Sequence, residues 1–396
     1  MASIKLTDNV YWVGVKDPGL RVFDIVMETK HGTTYNAYLI KGENHTSLID
    51  TVKESFTDEY FSNIEEICEI DKIDYLIVNH TEPDHSGAIP ELLKRNPNLK
   101  LICSAAAIPF VKNTINNEQI DLTGIKNNHE LDLGGKKLIF KLTPYMHWPD
   151  TMMEYLVEDK ILFSCDGFAA HVAFDEFYAD QCQEDIDYEL FYYFDSIMRP
   201  FSMFINKNMK KLDDLEINMI ATSHGPAFRN NTRQVIDKYK DWTNDKTNPK
   251  GIAIFYASAY GNTKKVSLKI KDELAKKGYD VSLVDTQELE RETARDLIEK
   301  SKVLLIGAPT FNGDCVPPVW NLLSLINTVP YLGKKAAVFG SYGWSGEGIK
   351  LVSDRLSGMR FKVFEENYKT RLIPSDTEMN DIVEYCNRLD DFISGK

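Results

Sequence analysis

Four potential metal ligands fall within six residues of this chain: His80, Glu82, Asp84 and His85, in Asn79-His80-Thr81-Glu82-Pro83-Asp84-His85-Ser86-Gly87. The segment directly follows Tyr75–Val78, an apolar run that reads as a buried strand. Pro83 stiffens the turn, and Gly87 leads into a helical pattern. A metal held by such a loop can take further ligands from other strand ends that converge on the same rim. The candidates are His147 (in Met146-His147-Trp148-Pro149-Asp150), Asp166 (in Ser164-Cys165-Asp166-Gly167) and His224 (in Ser223-His224-Gly225). Each follows or ends an expected strand. Four His and three carboxylates are enough for two metals sharing one carboxylate. Imidazole and carboxylate at this density suit iron or manganese better than structural zinc, which prefers thiolates.

Two textures divide the chain. Residues 1–240 hold short strand-like runs: Val10–Val15, Asn36–Ile40, Thr46–Ile49, Tyr75–Val78, Leu99–Cys103, Lys137–Leu142, Met153–Val157, Lys160–Phe163 and Met219–Thr222. Helical patterns intervene near Tyr60–Ile70 and Ile89–Asn96. This mixture predicts stacked sheets covered by helices. Asp241–Lys250 is polar, has no apolar period and reads as a linker. A regular βαβ alternation follows, with strands expected at Gly251–Tyr256, Val281–Val284, Val303–Ile306 and Ala336–Phe339, and a helix at Thr263–Lys277. That pattern predicts a doubly wound parallel sheet. The expected domains are residues 1–247 and 248–396, and 396 residues are too many for one ordinary core.

In open parallel sheets, ligands bind at the carboxyl ends of the strands. Three such ends here are rich in small polar residues. The first, Ser258-Ala259-Tyr260-Gly261-Asn262-Thr263, runs straight into a helix and offers hydroxyls and backbone N–H groups to an anion. It holds no Lys, so it is not a Walker loop. The second is Ala308-Pro309-Thr310-Phe311-Asn312-Gly313, and the third is Ser341-Tyr342-Gly343-Trp344-Ser345-Gly346. Their rings, Phe311, Tyr342 and Trp344, can stack on a flat heterocycle. These loops, in this order, resemble flavodoxin: a phosphate loop, then two loops that flank an isoalloxazine ring. One phosphate loop and no GxGxxG favour FMN over FAD.

The His-x-Glu-x-Asp-His frame, with its later His, Asp and His, resembles the metallo-β-lactamase fold. Zinc hydrolases of that fold usually carry His where this chain has Glu82. The Glu version joined to a flavodoxin domain resembles the flavodiiron proteins, and the likeness spans the whole chain. The resemblance implies an N-terminal αββα metallo-β-lactamase-like sandwich followed by a flavodoxin-like doubly wound sheet. It implies one non-haem iron held by His80, Glu82 and His147, another by Asp84, His85 and His224, and Asp166 bridging them. Asp50 becomes a supporting residue beside the metals. The implied activity is reduction of O2 to water, of NO to N2O, or both, with electrons arriving through FMN. O2 is slightly favoured. His171 and Tyr193 are expected to line the substrate pocket, Tyr192 being the alternative to Tyr193. Some family members carry an extra His near the stretch Leu20–Asp24, where this chain has Asp24 and no His. A head-to-tail homodimer, or a dimer of dimers, is also implied. The rival reading is a zinc-dependent hydrolase with an accessory flavodoxin domain.

Charge and cysteine content narrow the partners. Residues 251–396 carry 20 basic and 20 acidic side chains, so the net charge of −14 lies wholly in residues 1–250. Such acidity disfavours nucleic acid and steers an acidic protein toward the C-terminal domain. The six cysteines form no CxxC pair, so reduced thiols and a cytoplasmic location are expected. No apolar run approaches the ~20 residues of a membrane span. No rubredoxin-like Cys pairs follow the flavodoxin-like part, so a separate donor is expected: rubredoxin first, a reduced deazaflavin next. His31, His45 and His129 lie in polar stretches and are expected to be solvated.

Overall fold

Along Tyr75–Val78, Ile77 packs to one side while Leu76 and Val78 pack to the other, and all three are buried. A strand that is apolar on both faces belongs inside stacked layers. The computed structural model, which describes residues 3–117 and 120–395, shows such layers. The chain forms two compact units, Met1–Asn244 and Asp245–Lys396.

The first unit stacks two sheets. One runs in the order β1 (Ile4–Thr7), β2 (Val10–Trp12), β3 (Tyr38–Lys41), β4 (Thr46–Ile49), β5 (Tyr75–Val78), β6 (Lys100–Ser104) and β7 (Leu122–Ile125). It is antiparallel up to β4 and parallel from β4 to β7. The other comprises β8 (Glu130–Asp132), β9 (Lys137–Leu142), β10 (Met152–Leu156), β11 (Ile161–Phe163), β12 (Met219–Ala221) and β13 (Phe228–Arg229). Ile49, Ile77 and Ile102 of the first sheet meet Phe140, Met152, Leu156 and Phe163 of the second in one apolar layer. The outward residues of both sheets, such as Leu76 and Leu162, pack in a second cluster with helix residues Tyr60, Leu92 and Ile236. This is the αββα sandwich.

The second unit is a parallel sheet in the order β15 (Asp280–Asp285), β14 (Asn248–Tyr256), β16 (Ser301–Gly307), β17 (Lys335–Tyr342) and β18 (Lys362–Val363), with β19 (Tyr368–Arg371) also pairing to β17. Apolar clusters cover both of its faces, as a doubly wound fold requires.

Several boundaries differ from expectation. The expected linker is shorter, because helix Thr232–Trp242 runs into it from one side and β14 begins at Asn248 on the other. The expected strand Val10–Val15 breaks at Val13-Gly14, where a Cβ on Gly14 would meet the Tyr35 carbonyl oxygen at 2.3 Å. The helix expected at Tyr60–Ile70 spans Thr57–Glu65 instead. Two histidines expected to be solvated have partners. His45 Nδ1 lies 3.2 Å from Asp74 Oδ1, and the His31 ring packs against Phe174 at 5.2 Å. No described helix is long and apolar enough to cross a membrane.

Candidate functional site

Strand order explains how distant ligands meet. β11 and β12 are parallel, with Phe163 opposite Ala221. Asp166 and His224 each lie three residues beyond that pair, so they emerge side by side. His80 to His85 leave the end of β5, and His147 sits between β9 and β10. Glu82 precedes the short helix Pro83–Ser86, with Pro83 at its first position.

All seven expected ligands come together, and six of them are at most 7% exposed; the His147 side chain is 13% exposed. They fall into two groups: His80, Glu82, His147 and Asp166, and Asp84, His85 and His224. In the first, His147 Nε2 lies 3.0 Å from Glu82 Oε2 and 2.8 Å from Asp166 Oδ2. His80 Nε2 lies 3.3 Å from Glu82 Oε2 and 3.4 Å from Asp166 Oδ2. In the second, His85 and His224 each place Nε2 3.3 Å from Asp84 Oδ2. The other oxygen of Asp166, Oδ1, faces this second group, 3.6 Å from His85 and 3.8 Å from His224. One carboxylate thus turns one oxygen to each group.

The donor set fits two metal ions. Four imidazoles aim Nε2 inward, and His85 Nε2 and His224 Nε2 lie only 3.0 Å apart. Asp84 Oδ1 is buried without a hydrogen-bond partner. Buried polar atoms left in this state are costly unless something charged completes them. The surrounding charge acts on each ring differently. Burial pushes His85 down to about 4. Burial also opposes a charge on His147, but Asp166 and Glu82 outweigh it and raise that ring to about 9. Asp166 is held well below the carboxylate range by the imidazoles of His80 and His147, against the cost of burial.

The supports are backbone and hydroxyl groups. Asp50 Oδ1 accepts the Asn79 N–H at 2.8 Å, which fixes the start of the ligand loop. Asp150 Oδ2 accepts both the N–H and the hydroxyl of Thr81, at 3.0 and 2.8 Å. Ser223 donates its hydroxyl to Asp166 Oδ1. His171 packs against the site: its ring stacks on Phe23 at 3.9 Å and lies 4.6 Å from that of His224. Its Nδ1 meets the Thr33 hydroxyl at 2.9 Å, while its Nε2 is buried without a partner. Tyr193 is buried 4.9 Å from the His171 ring, whereas Tyr192 is partly buried and stacks on Tyr188.

The second unit presents a cleft of about 230 Å³ at its strand ends. Ser258, Tyr260, Asn262, Pro309, Thr310, Phe311, Asn312, Ser341, Tyr342, Gly343 and Trp344 line it. Gly261, Thr263, Gly313 and Gly346 shape the loops without lining it. Gly261 (φ +78°) and Gly313 (φ +79°) supply left-handed turns, Thr263 hydrogen-bonds Ser341 at 2.8 Å, and Gly346 caps the helix Glu347–Gly358. The cleft fits a flat aromatic phosphate ester. The N-terminus of helix Asn262–Lys276 and its neighbouring hydroxyls favour the phosphate, and exposed rings at Tyr260 and Trp344 await a planar partner.

Among the residues at the two sites, Leu372 escaped the sequence reading, while Ala259 and Asp24 were noted there without a role. Ala259 and Leu372 line the cleft, and Leu372 lies beyond β19, outside the three Gly- and Ser-rich loops. Asp24 is near the first ligand group: partial loss of hydration, then the neighbouring Glu82 carboxylate, raise its carboxyl to about 7. It sits at a hairpin tip with Ile25, both at positive φ, and no local motif announces that placement.

The likeness to known proteins covers both units. The model described as ODP family beta lactamase matches residues 33–225, and the flavodoxin model matches residues 254–385. The chain is 39% identical over 390 residues to the flavo-diiron protein FprA2 of Clostridium acetobutylicum, covering 96% of each. It is 32% identical to the anaerobic nitric oxide reductase flavorubredoxin of Vibrio vulnificus, across 98% of this chain and 79% of that one. The structure of rubredoxin oxygen:oxidoreductase from the anaerobe Desulfovibrio gigas matches with a TM-score of 0.72 and 27% identity, over 99% of both chains. With the fold, both ligand-bearing units and full-length relatives in agreement, the chain belongs to the flavodiiron proteins, oxidoreductases that carry FMN and a pair of non-haem irons.

Proposed function

We propose that this protein takes electrons from an external donor, passes them through FMN to the iron pair, and reduces O2 to water, NO to N2O, or both, with O2 slightly favoured. The observation that carries the reading is Asp166, which offers one oxygen to each ligand group. Relatives named for nitric oxide and for oxygen support both gases. When bound, two ferrous ions and reduced FMN hold four electrons between them, enough to take O2 to two waters.

The chain's own residues set the rest. His80, Glu82 and His147 would hold one iron and Asp84, His85 and His224 the other, with Asp166 available to both. Glu82 is a hard anionic ligand that favours the ferric state over Lewis-acid hydrolysis. His171 stays neutral, because burial and the adjacent His224 both disfavour its charge. Its Nε2, which has no partner, would hydrogen-bond a small molecule beside the irons, and Tyr193 packs against the His171 ring. Ser258, Asn262 and the helix start would receive the phosphate, while Phe311, Tyr342 and Trp344 would flank the ring.

The donor is an external one such as rubredoxin or a reduced deazaflavin, and the location is cytoplasmic. The working form is a head-to-tail homodimer or a dimer of dimers. Ile25 (95% exposed) near the metal ligands and Trp344 (77% exposed) at the flavin cleft are the apolar side chains such an interface would cover.

The test is anaerobic. The protein is fully reduced, and limiting O2 or NO is added separately while flavin and iron spectra, peroxide and N2O are followed. Rapid oxidation without peroxide is expected, and the faster gas names the substrate. If neither gas reoxidises iron and flavin, and zinc replaces iron on metal analysis, the hydrolase reading stands instead.

A further inference from the structure

A metal-bound imidazole normally donates its other N–H to a carbonyl, carboxylate or water, which orients the ring and raises its basicity. The inward-facing rings here differ in that second contact. His224 Nδ1 donates to the Thr34 carbonyl at 2.6 Å. His85 Nδ1 is buried with no partner. His80 Nδ1 meets the thiol of Cys165 at 3.3 Å, and both residues are buried. Sulfur is a weak acceptor, so this contact polarises the ring less than an oxygen would.

The backbone at Cys165 is also unusual. Its φ is +50°, a region where glycine is the ordinary choice and a side chain is strained. The turn is fixed on both sides. Gly167 N–H donates to the Ser164 carbonyl at 3.0 Å, and the Cys165 carbonyl accepts the Ser223 N–H at 3.0 Å. A side chain is therefore kept in a glycine-like conformation, and it faces a metal ligand.

We propose that Cys165 is a positioning residue for His80, and that its sulfur contact holds the iron of His80, Glu82 and His147 at a higher potential than an oxygen acceptor would. This rests on the di-iron reading above. Cys165→Gly relieves the backbone and deletes the acceptor, whereas Cys165→Ser replaces sulfur by oxygen. A merely structural thiol would move both variants in the same direction or not at all.

The experiment titrates the loaded, full-length protein redox-potentiometrically, following the mixed-valent iron signal by electron paramagnetic resonance. Cys165→Ser should lower one iron potential. Cys165→Gly should raise it by about 59 mV, a tenfold loss of ferric preference for a one-electron couple. Cys165→Gly should also release iron to a chelator about ten- to a hundredfold faster. Unchanged potentials, or shifts of equal sign, overturn the proposal. Should neither variant fold, the wild-type protein decides: a thiol stretching band must shift in the infrared when the irons are reduced, and a static spectrum overturns the assignment. Wild-type protein that binds no iron pair overturns the underlying reading as well, which separates the two failures.

Discussion

At the residue scale, the proposed choice of redox chemistry over hydrolysis turns on Glu82. Glu82→His should turn the first ligand group toward zinc, so protein grown with both metals should carry less iron and more zinc. Unaltered metal content would show that the remaining ligands set the choice. A second residue, Glu154, is buried between the two sheets on the same face of β10 as Met152 and Leu156, and both its oxygens lack partners. Burial, then the nearby Asp50, raise its pKa well above 4.5. The fold therefore keeps a proton that the unfolded chain releases. Its contribution to stability is complete below about pH 4.5 and declines as pH rises toward the folded value. Glu154→Gln should leave the unfolding midpoint unchanged near pH 4 and raise it increasingly toward pH 8; a constant difference would contradict this. Neither Glu154 nor Cys165 was legible in the sequence as a special residue. The spacing of His80 to His85 advertises coordination, but which face a strand residue takes, and which ring a thiol meets, depend on the packing of distant strands. Asp24 was visible as the residue where an extra His can stand, but its electrostatic coupling to Glu82 was not, since that depends on the hairpin.

At the element scale, the strand-end loops carry function, and their glycines have different reasons to be there. A Cβ at Gly261 meets nothing within 4 Å, so only its left-handed backbone resists substitution. A Cβ at Gly340, inside β17, would lie 1.9 Å from the Ala308 carbonyl oxygen. Gly261→Ala should cost ~1 kcal/mol of stability and loosen FMN by shifting the helix start. Gly340→Ala should cost more, about 1–3 kcal/mol, because β17 must move away from the loop after β16. Denaturant titration checks the order, and equal losses would contradict it. Elements with strong patterns were legible: Tyr75–Val78, Thr46–Ile49 and Lys137–Leu142 stand where their apolar runs end. The polar stretch after Asp241 misled, because an amphipathic helix can end in polar residues and a strand can begin with them.

At the scale of the whole molecule, the uneven charge makes a prediction about the donor. Residues 1–250 hold the full −14, so an acidic donor approaching the flavin is repelled by the rest of the chain. Raising ionic strength from 0.01 to 0.15 M shortens the Debye length from about 30 to about 8 Å. Flavin reduction by an acidic donor should then speed up in stopped-flow measurements, while reduction by a neutral donor stays constant. A slower reaction with the acidic donor would point to a local basic docking patch that outweighs the net charge. The two-unit plan was readable from the change in texture. The shared carboxylate of Asp166 has a consequence for how such a molecule matures. A ligand that serves both ions is only half used when one is present, so the first ion to arrive prepares the seat of the second. Filling should be cooperative, with singly loaded chains scarce at every iron concentration and the population dividing into empty and complete molecules.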